Sequence, residues 1–179
     1  MKKLSNEEIS QSRISIEKSK SVERFPIYAI LDNVRSLYNV GSIFRTADGA
    51  LLKKLYLTGF TPSPPRKEIF KTSLGATETV PWEYFENPID VIKTLKKENV
   101  KILAVELTNK SKPNYEILKA DFPICVIFGN EINGISKYIL DEVDGAIEIP
   151  MYGFKHSLNV SVSFGIVLFD IVRILKIKN

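Results

Sequence analysis

Ile124-Cys125-Val126-Ile127-Phe128-Gly129-Asn130-Glu131-Ile132-Asn133-Gly134-Ile135-Ser136 is the stretch on which the fold turns. Its first five residues are apolar without a break, the pattern of a short strand buried on both faces. Two glycines then bracket an Asn-Glu pair, marking a tight turn whose backbone amides can approach a ligand closely. Taken alone, the turn is equally an ordinary strand-to-helix connection with Ser136 at the helix start.

The same grammar repeats outward in both directions. Ile27–Leu31, Lys54–Thr58, Lys101–Glu106 and Ala146–Ile149 are further apolar runs that predict strands. Between them Val40–Ala50, Pro88–Asn99, Ile135–Asp141 and Asn159–Lys176 predict helices, the second opening with proline in its first turn. Strands alternating with helices specify an α/β fold: a mostly parallel sheet with helices on both faces.

The chain has 179 residues, 44% hydrophobic and 26% charged, enough for one sizeable core and short for two. We therefore expect one domain over residues 25–179, preceded by an N-terminal basic arm or short helix over residues 1–24. The single cysteine, Cys125, sits inside an apolar run and reads as a core thiol; a disulfide framework is excluded. Lys2 and Lys3 are followed by Ser5, Asn6, Glu7 and Glu8 in place of an apolar secretory core. The C-terminal apolar stretch is broken by Ser161, Ser163, Asp170 and Arg173, so it reads as a core helix and not a membrane span. A cytoplasmic location without membrane association is the expectation.

Formal net charge is +4, which tolerates a polyanionic partner without demanding one. Basic residues gather in the N-terminal arm, ending at Arg24, and around Arg66, Lys67 and Lys71, beside the stiff segment Thr61-Pro62-Ser63-Pro64-Pro65. Any one cluster alone is adequately explained as solvated surface.

In parallel α/β sheets, ligands bind beyond the carboxyl ends of the strands, so residues after each apolar run carry the most information. After the first run, Asn39 is placed as a helix N-cap, and Arg45 has an obvious surface partner in Asp48 at i+3. Yet Asn39, Ser42 and Arg45 are spaced by three and form one polar stripe. The Gly129–Gly134 turn matches neither a dinucleotide G-x-G-x-x-G nor a P-loop. After Ala146–Ile149 comes Pro150-Met151 and then Ser157-Leu158-Asn159, where Ser157 or Asn159 would cap the last helix whatever the protein did. His156, the only histidine, lacks acidic or cysteine neighbours and is given no metal or general-base duty.

In order and content, these three junctions resemble the three motifs of the SpoU-type RNA methyltransferases of the SPOUT superfamily. Asn39, Gly41, Arg45 and Ala47 match the first motif, Gly129, Glu131 and Gly134 the second, and Ile149-Pro150-Met151 with Ser157-Leu158-Asn159 the third. Lys71-Thr72-Ser73-Leu74-Gly75-Ala76 also resembles a stretch between the first two motifs. The resemblance covers Phe25 to the C-terminus, and three motifs in register are far more specific than one.

That resemblance implies a C-terminal trefoil knot, a homodimer, and S-adenosylmethionine-dependent methylation of a ribose 2'-hydroxyl in RNA without a metal, with transfer RNA slightly favoured over ribosomal RNA. It implies catalytic roles for Arg45, Asn39, Glu131, Ser157 and Asn159. It places the cofactor near Leu107, Gly129, Asn130, Ile149, Met151, Ser157, Leu158 and Asn159, and RNA near Arg24, Arg45, Arg66, Lys67 and Lys71. The rival expectation is a non-catalytic RNA-binding or assembly protein that retains the fold. The intact motif residues argue against it, because a retired site is free to lose them.

Overall fold

The computed structural model describes residues 1–11 and 13–176. Ser12 and residues 177–179, the last three of the expected domain, lie outside the described residues. In chain order come α1 (Asn6–Gln11), α2 (Ile16–Ser19), β1 (Phe25–Asp32), α3 (Leu37–Gly49), β2 (Leu52–Thr58), α4 (Lys67–Ser73) and α5 (Ala76–Thr79). Then follow β3 (Trp82–Phe85), α6 (Pro88–Lys97), β4 (Lys101–Val105), β5 (Lys112–Pro113), β6 (Ile124–Phe128), α7 (Lys137–Leu140), β7 (Gly145–Glu148) and α8 (Val160–Lys176). Among the described residues the strands form one sheet in the order β3-β2-β1-β6-β4-β7-β5, every pairing parallel.

Strand alternation divides the core between the two faces. Ile27, Ala29 and Leu31 of β1 and Ile124, Val126 and Phe128 of β6 join Ile43 and Phe44 of α3 and Phe164 and Leu168 of α8. Ile30, Cys125 and Ile127 point the other way, toward Ile92 and Leu95 of α6 and Ile139 of α7. Each large aliphatic side chain so buried contributes about 1.5–3 kcal/mol. Phe164 is fully buried with its ring 5.1 Å from that of Phe128, so truncating it to alanine would cost about 3–5 kcal/mol. Burial pushes the Cys125 thiol far above its ordinary range, in keeping with a core thiol.

Five strands and four helices stand where the sequence predicts them, with shifted ends. β3, β5, α4 and α5 were not predicted. The start of α3 differs in a way that matters: Ser36, not Asn39, is its N-cap, its hydroxyl accepting the Asn39 amide at 3.3 Å. A helix beginning three residues earlier leaves the Asn39 side chain free for other work. Arg24, expected near RNA, also has a task within the fold. Its guanidinium donates to the carbonyls of Ser19, Leu52 and Thr79, tying α2, β2 and α5 together.

α3 and α8 lie side by side and run in the same direction. Asn159 meets Asn39, and further along Gly165 faces Thr46, where an added Cβ would sit 3.9 Å from the threonine methyl. Gly165 is thus turned onto α3, and both helices begin at the carboxyl edge of the sheet.

Candidate functional site

The three sequence junctions meet at that edge. Asn39, in the first turn of α3, donates its side-chain amide to the Glu131 carboxylate at 3.1 Å, and its oxygen accepts from the Asn159 amide at 3.2 Å. Glu131 also accepts the backbone N–H groups of Arg35 at 3.2 Å and Ser36 at 3.4 Å. A carboxylate at the start of a helix is favoured by the unsatisfied amides and the helix dipole there. Partial burial alone would raise the pKa of Glu131. The amides of its own residue, Arg35 and Ser36, with the Asn39 side chain, overcome that and hold it below the usual carboxylate range. Glu131 is therefore a fixed anion that anchors the start of α3.

Asn159 caps α8, its side-chain oxygen accepting the Ser161 amide at 2.9 Å and the Ser161 hydroxyl at 2.7 Å. Capping and linking to Asn39 are both met, by opposite ends of one amide. Asn130 fixes the intervening turn: its oxygen accepts from the Ile132 and Asn133 amides, and its nitrogen donates to the Asn33 carbonyl at 2.8 Å. Gly129 has no room for a side chain, because a Cβ would collide with the Gly134 carbonyl. Gly134 has φ +63 and faces the Glu106 carboxylate, which accepts the Ile135 amide at 2.9 Å. Gly41, in the first motif, is needed for a third reason: a Cβ there would strike Thr72 and the Ile69 carbonyl of α4.

A cavity of about 1030 Å³ opens at the ends of β4, β6 and β7. Leu107, Gly129, Asn130, Glu131, Ile149, Met151, Ser157 and Leu158 all line it. Asn159 and Asn39 do not; they stand behind Glu131. His156 lies in the wall. Among the described residues no group of three or more His, Cys, Asp or Glu is placed to hold a metal, and no helix is long and apolar enough to cross a membrane.

Arg45 is exposed, six residues and nearly two turns along α3 from Asn39, and among the described residues its side chain makes no hydrogen bond or ion pair. The expected surface partner Asp48 instead accepts from the Thr79 hydroxyl of α5. Arg66, Lys67 and Lys71 are exposed at and along α4, which packs on α3, and they too have no charged partner among the described residues. The cations expected for RNA therefore gather beside the helix that carries Arg45, with Arg24 excepted.

Sequence reasoning missed Glu106, which shapes the cavity from the end of β4. Its place immediately after an apolar run was the available signal. It also missed the Arg35 and Ser36 amides, which have no sequence signature because any residue supplies them.

A model of the SpoU rRNA Methylase family matches residues 26–169. Among curated proteins, ones named for the TrmH family of tRNA/rRNA methyltransferases from Staphylococcus haemolyticus and Staphylococcus epidermidis are each 30% identical over 158 residues. These alignments cover 88% of this chain and 63% of the relatives, so the chain matches less than two thirds of their length. Among solved structures, a TrmH/SpoU tRNA modifying enzyme of A. aeolicus superposes with a TM-score of 0.79 at 29% identity, over 89% of this chain and 81% of that one. An AdoMet-bound rRNA methyltransferase from Sinorhizobium meliloti gives 0.79 at 28% identity, over 89% and 61%.

Proposed function

This chain belongs to the SpoU rRNA Methylase family, and from that premise we propose that it transfers a methyl group from S-adenosylmethionine to a ribose 2'-hydroxyl of RNA, transfer RNA before ribosomal RNA. The observation that carries this reading is the hydrogen-bonded line Asn159–Asn39–Glu131, which joins segments 92 and 120 residues apart and ends on Glu131 in the wall of one cavity.

The cavity suits the cofactor. Its volume is at the top of the range for small-molecule sites, roughly 300–1,000 Å³. Leu107, Ile132, Ile149 and Leu158 offer apolar walls for an adenine, and the Glu131 and Glu148 carboxylates offer negative charge for a cationic sulfonium. The AdoMet-bound relative supports the same assignment. When bound, the cofactor supplies an electrophilic methyl carbon.

Everything else falls to side chains of this chain. Arg45 stays protonated and acts as a donor to the developing alkoxide or an adjacent phosphate, not as a base. Asn39 and Glu131 set the angle at which α3 presents Arg45, and Asn159 locks that helix to α8. In such a reaction the gain comes from alignment, since two partners are held in line in place of a chance encounter. Ser157, exposed in the cavity wall, faces the cofactor.

Residues 25–179 constitute the methyltransferase domain in this reading, with the C-terminal segment knotted and the cytoplasm as the site of action. The chain acts as a homodimer through the α8 stripe Val162, Ile166 and Phe169, which is left partly in solvent by the described residues. Residues 1–24 lend RNA affinity. Deleting the first twenty should weaken RNA binding several-fold and flatten its salt dependence; unchanged binding removes the arm from the reading. Mapping 2'-O-methyl positions in cellular RNA with and without this protein tests the whole proposal. One ribose position should lose its methyl group, and an identical map in both cells would contradict it.

A further inference from the structure

The carboxyl edge of the sheet holds a second cavity, of about 340 Å³, at the ends of β1, β2 and β3. It is separated from the first by the backbone of Asn33, which lines this cavity while its carbonyl binds Asn130 in the wall of the other. Three aromatic rings surround it and leave much of their surface in solvent: Phe60 is 84% exposed, Tyr138 51% and Tyr84 46%. Large aromatics so placed around a concavity are uncommon outside binding sites. Tyr84 is held in place by donating its hydroxyl to the Gly59 carbonyl at 2.9 Å.

The polar lining has one character. Asp32, 2% exposed, and Glu86 are carboxylates. The Asn33 amide is already spent, its nitrogen on Asp32 at 2.9 Å and its oxygen on the Phe60 N–H at 2.9 Å. The site therefore offers acceptors and flat rings. A nucleobase matches both, because its π-face stacks on aromatic side chains and its pairing edge carries N–H donors. Guanine is the best match, since it alone presents two adjacent N–H donors to a carboxylate, whereas the other bases present a donor beside an acceptor.

We propose that this second cavity receives one unstacked base of the RNA substrate, a guanine by preference, stacked against Phe60 and Tyr138 and read by the exposed carboxylate of Glu86, with the buried Asp32 holding Asn33 and Thr58 at the cavity floor. The proposal rests on the methyltransferase reading for its choice of RNA. The placement is also apt, because Asn33 in the lining of this cavity is hydrogen-bonded to Asn130 in the wall of the larger one.

Saturation-transfer NMR of the full chain with GMP, AMP, CMP and UMP tests it. GMP should give the strongest transfer. The double variant Phe60→Ala/Tyr138→Ala, which alters two exposed side chains, should lower its affinity about tenfold. Glu86→Gln should narrow the preference for GMP over UMP. S-adenosylmethionine binding, measured on the same samples, should be unchanged in all variants. Four indistinguishable nucleotides, or GMP binding untouched by the double variant, would overturn the pocket. A chain that binds S-adenosylmethionine and fails the nucleotide test loses the pocket alone; a chain that passes it and binds no S-adenosylmethionine loses the methyltransferase reading alone.

Discussion

β1 and β6 are neighbours in the sheet; Asp32 ends β1, Glu131 stands three residues past the end of β6, and the two carboxylates are held in opposite ways. Asp32 closes β1 with 2% of its surface exposed and, among the described residues, its side chain accepts only the Thr58 hydroxyl and the Asn33 amide, so burial pushes its pKa up in spite of those two bonds. Glu131, just past β6, accepts two backbone amides at the start of α3 and the Asn39 side chain, and its pKa is held down. The lesson is that donor supply against burial sets the charge of an acid at a strand end, and residue type does not. A fixed anion suits the anchoring of a helix. A buried, reluctant anion suits a site that exchanges partners.

The comparison predicts unequal consequences for perturbing the two sides. The largest belongs to the helix that Glu131 anchors. Arg45→Ala should lower methyl transfer about 10²–10³-fold while leaving S-adenosylmethionine affinity within a factor of about two. Wild-type turnover in single-turnover assays would remove Arg45 from the mechanism. Next, Glu131→Gln should cost about 10²-fold in transfer, because a tilt of α3 misplaces Arg45. Its effect should appear first as faster hydrogen exchange at the Arg35 and Ser36 amides. Glu131 has a depressed pKa when folded, so its anchoring is complete at neutral pH and is lost only as pH falls through that lowered value, below 4.5. Loss of protection at those amides, corrected for their intrinsic exchange rate, that sets in well above that pH as the wild type is acidified would contradict the assignment.

The smallest effect belongs to Asp32. Its raised folded pKa means that the protonated form is the better-fitting one, so the penalty is present at neutral pH and is relieved as pH falls toward the unfolded value of 3.8. Denaturant titrations should show Asp32→Asn gaining on wild type at pH 7 and losing that gain near pH 4, the difference staying within about 1 kcal/mol. A variant whose relative stability ignores pH would show that burial does not govern this carboxylate.

The parallel α/β plan could be read from the sequence because β1, β2, β4, β6 and β7 are apolar runs and α3, α6 and α8 have long periodic faces. β3 and β5 escaped because they are short edge strands, four and two residues long, whose side chains are half in solvent. α4 and α5 escaped because neither has a side-chain N-cap, and the left-handed Leu74 and Gly75 between them leave no familiar signal. Leu107, Gly129, Asn130, Ile149, Met151, Ser157 and Leu158 in the wall of the larger cavity were legible through the strand-end rule and the motif resemblance, whereas Glu106 was missed and Asn159 stands outside that wall. The line Asn159–Asn39–Glu131 was not legible, since hydrogen bonds between segments this far apart depend on how α3 and α8 pack. The same holds for Arg24, a plain surface cation in sequence and a three-way tie in the fold.

The central claim is that the cavity walled by Gly129, Ile149 and Leu158 is the methyl-donor site. Equilibrium dialysis of radiolabelled S-adenosylmethionine against the wild-type chain and Leu158→Trp, whose larger ring would intrude into that cavity, tests it most directly. The account predicts saturable binding of one cofactor per chain and at least about a tenfold loss in the variant, equal to about 1.4 kcal/mol. No binding to the wild type, or equal binding to both, would contradict it.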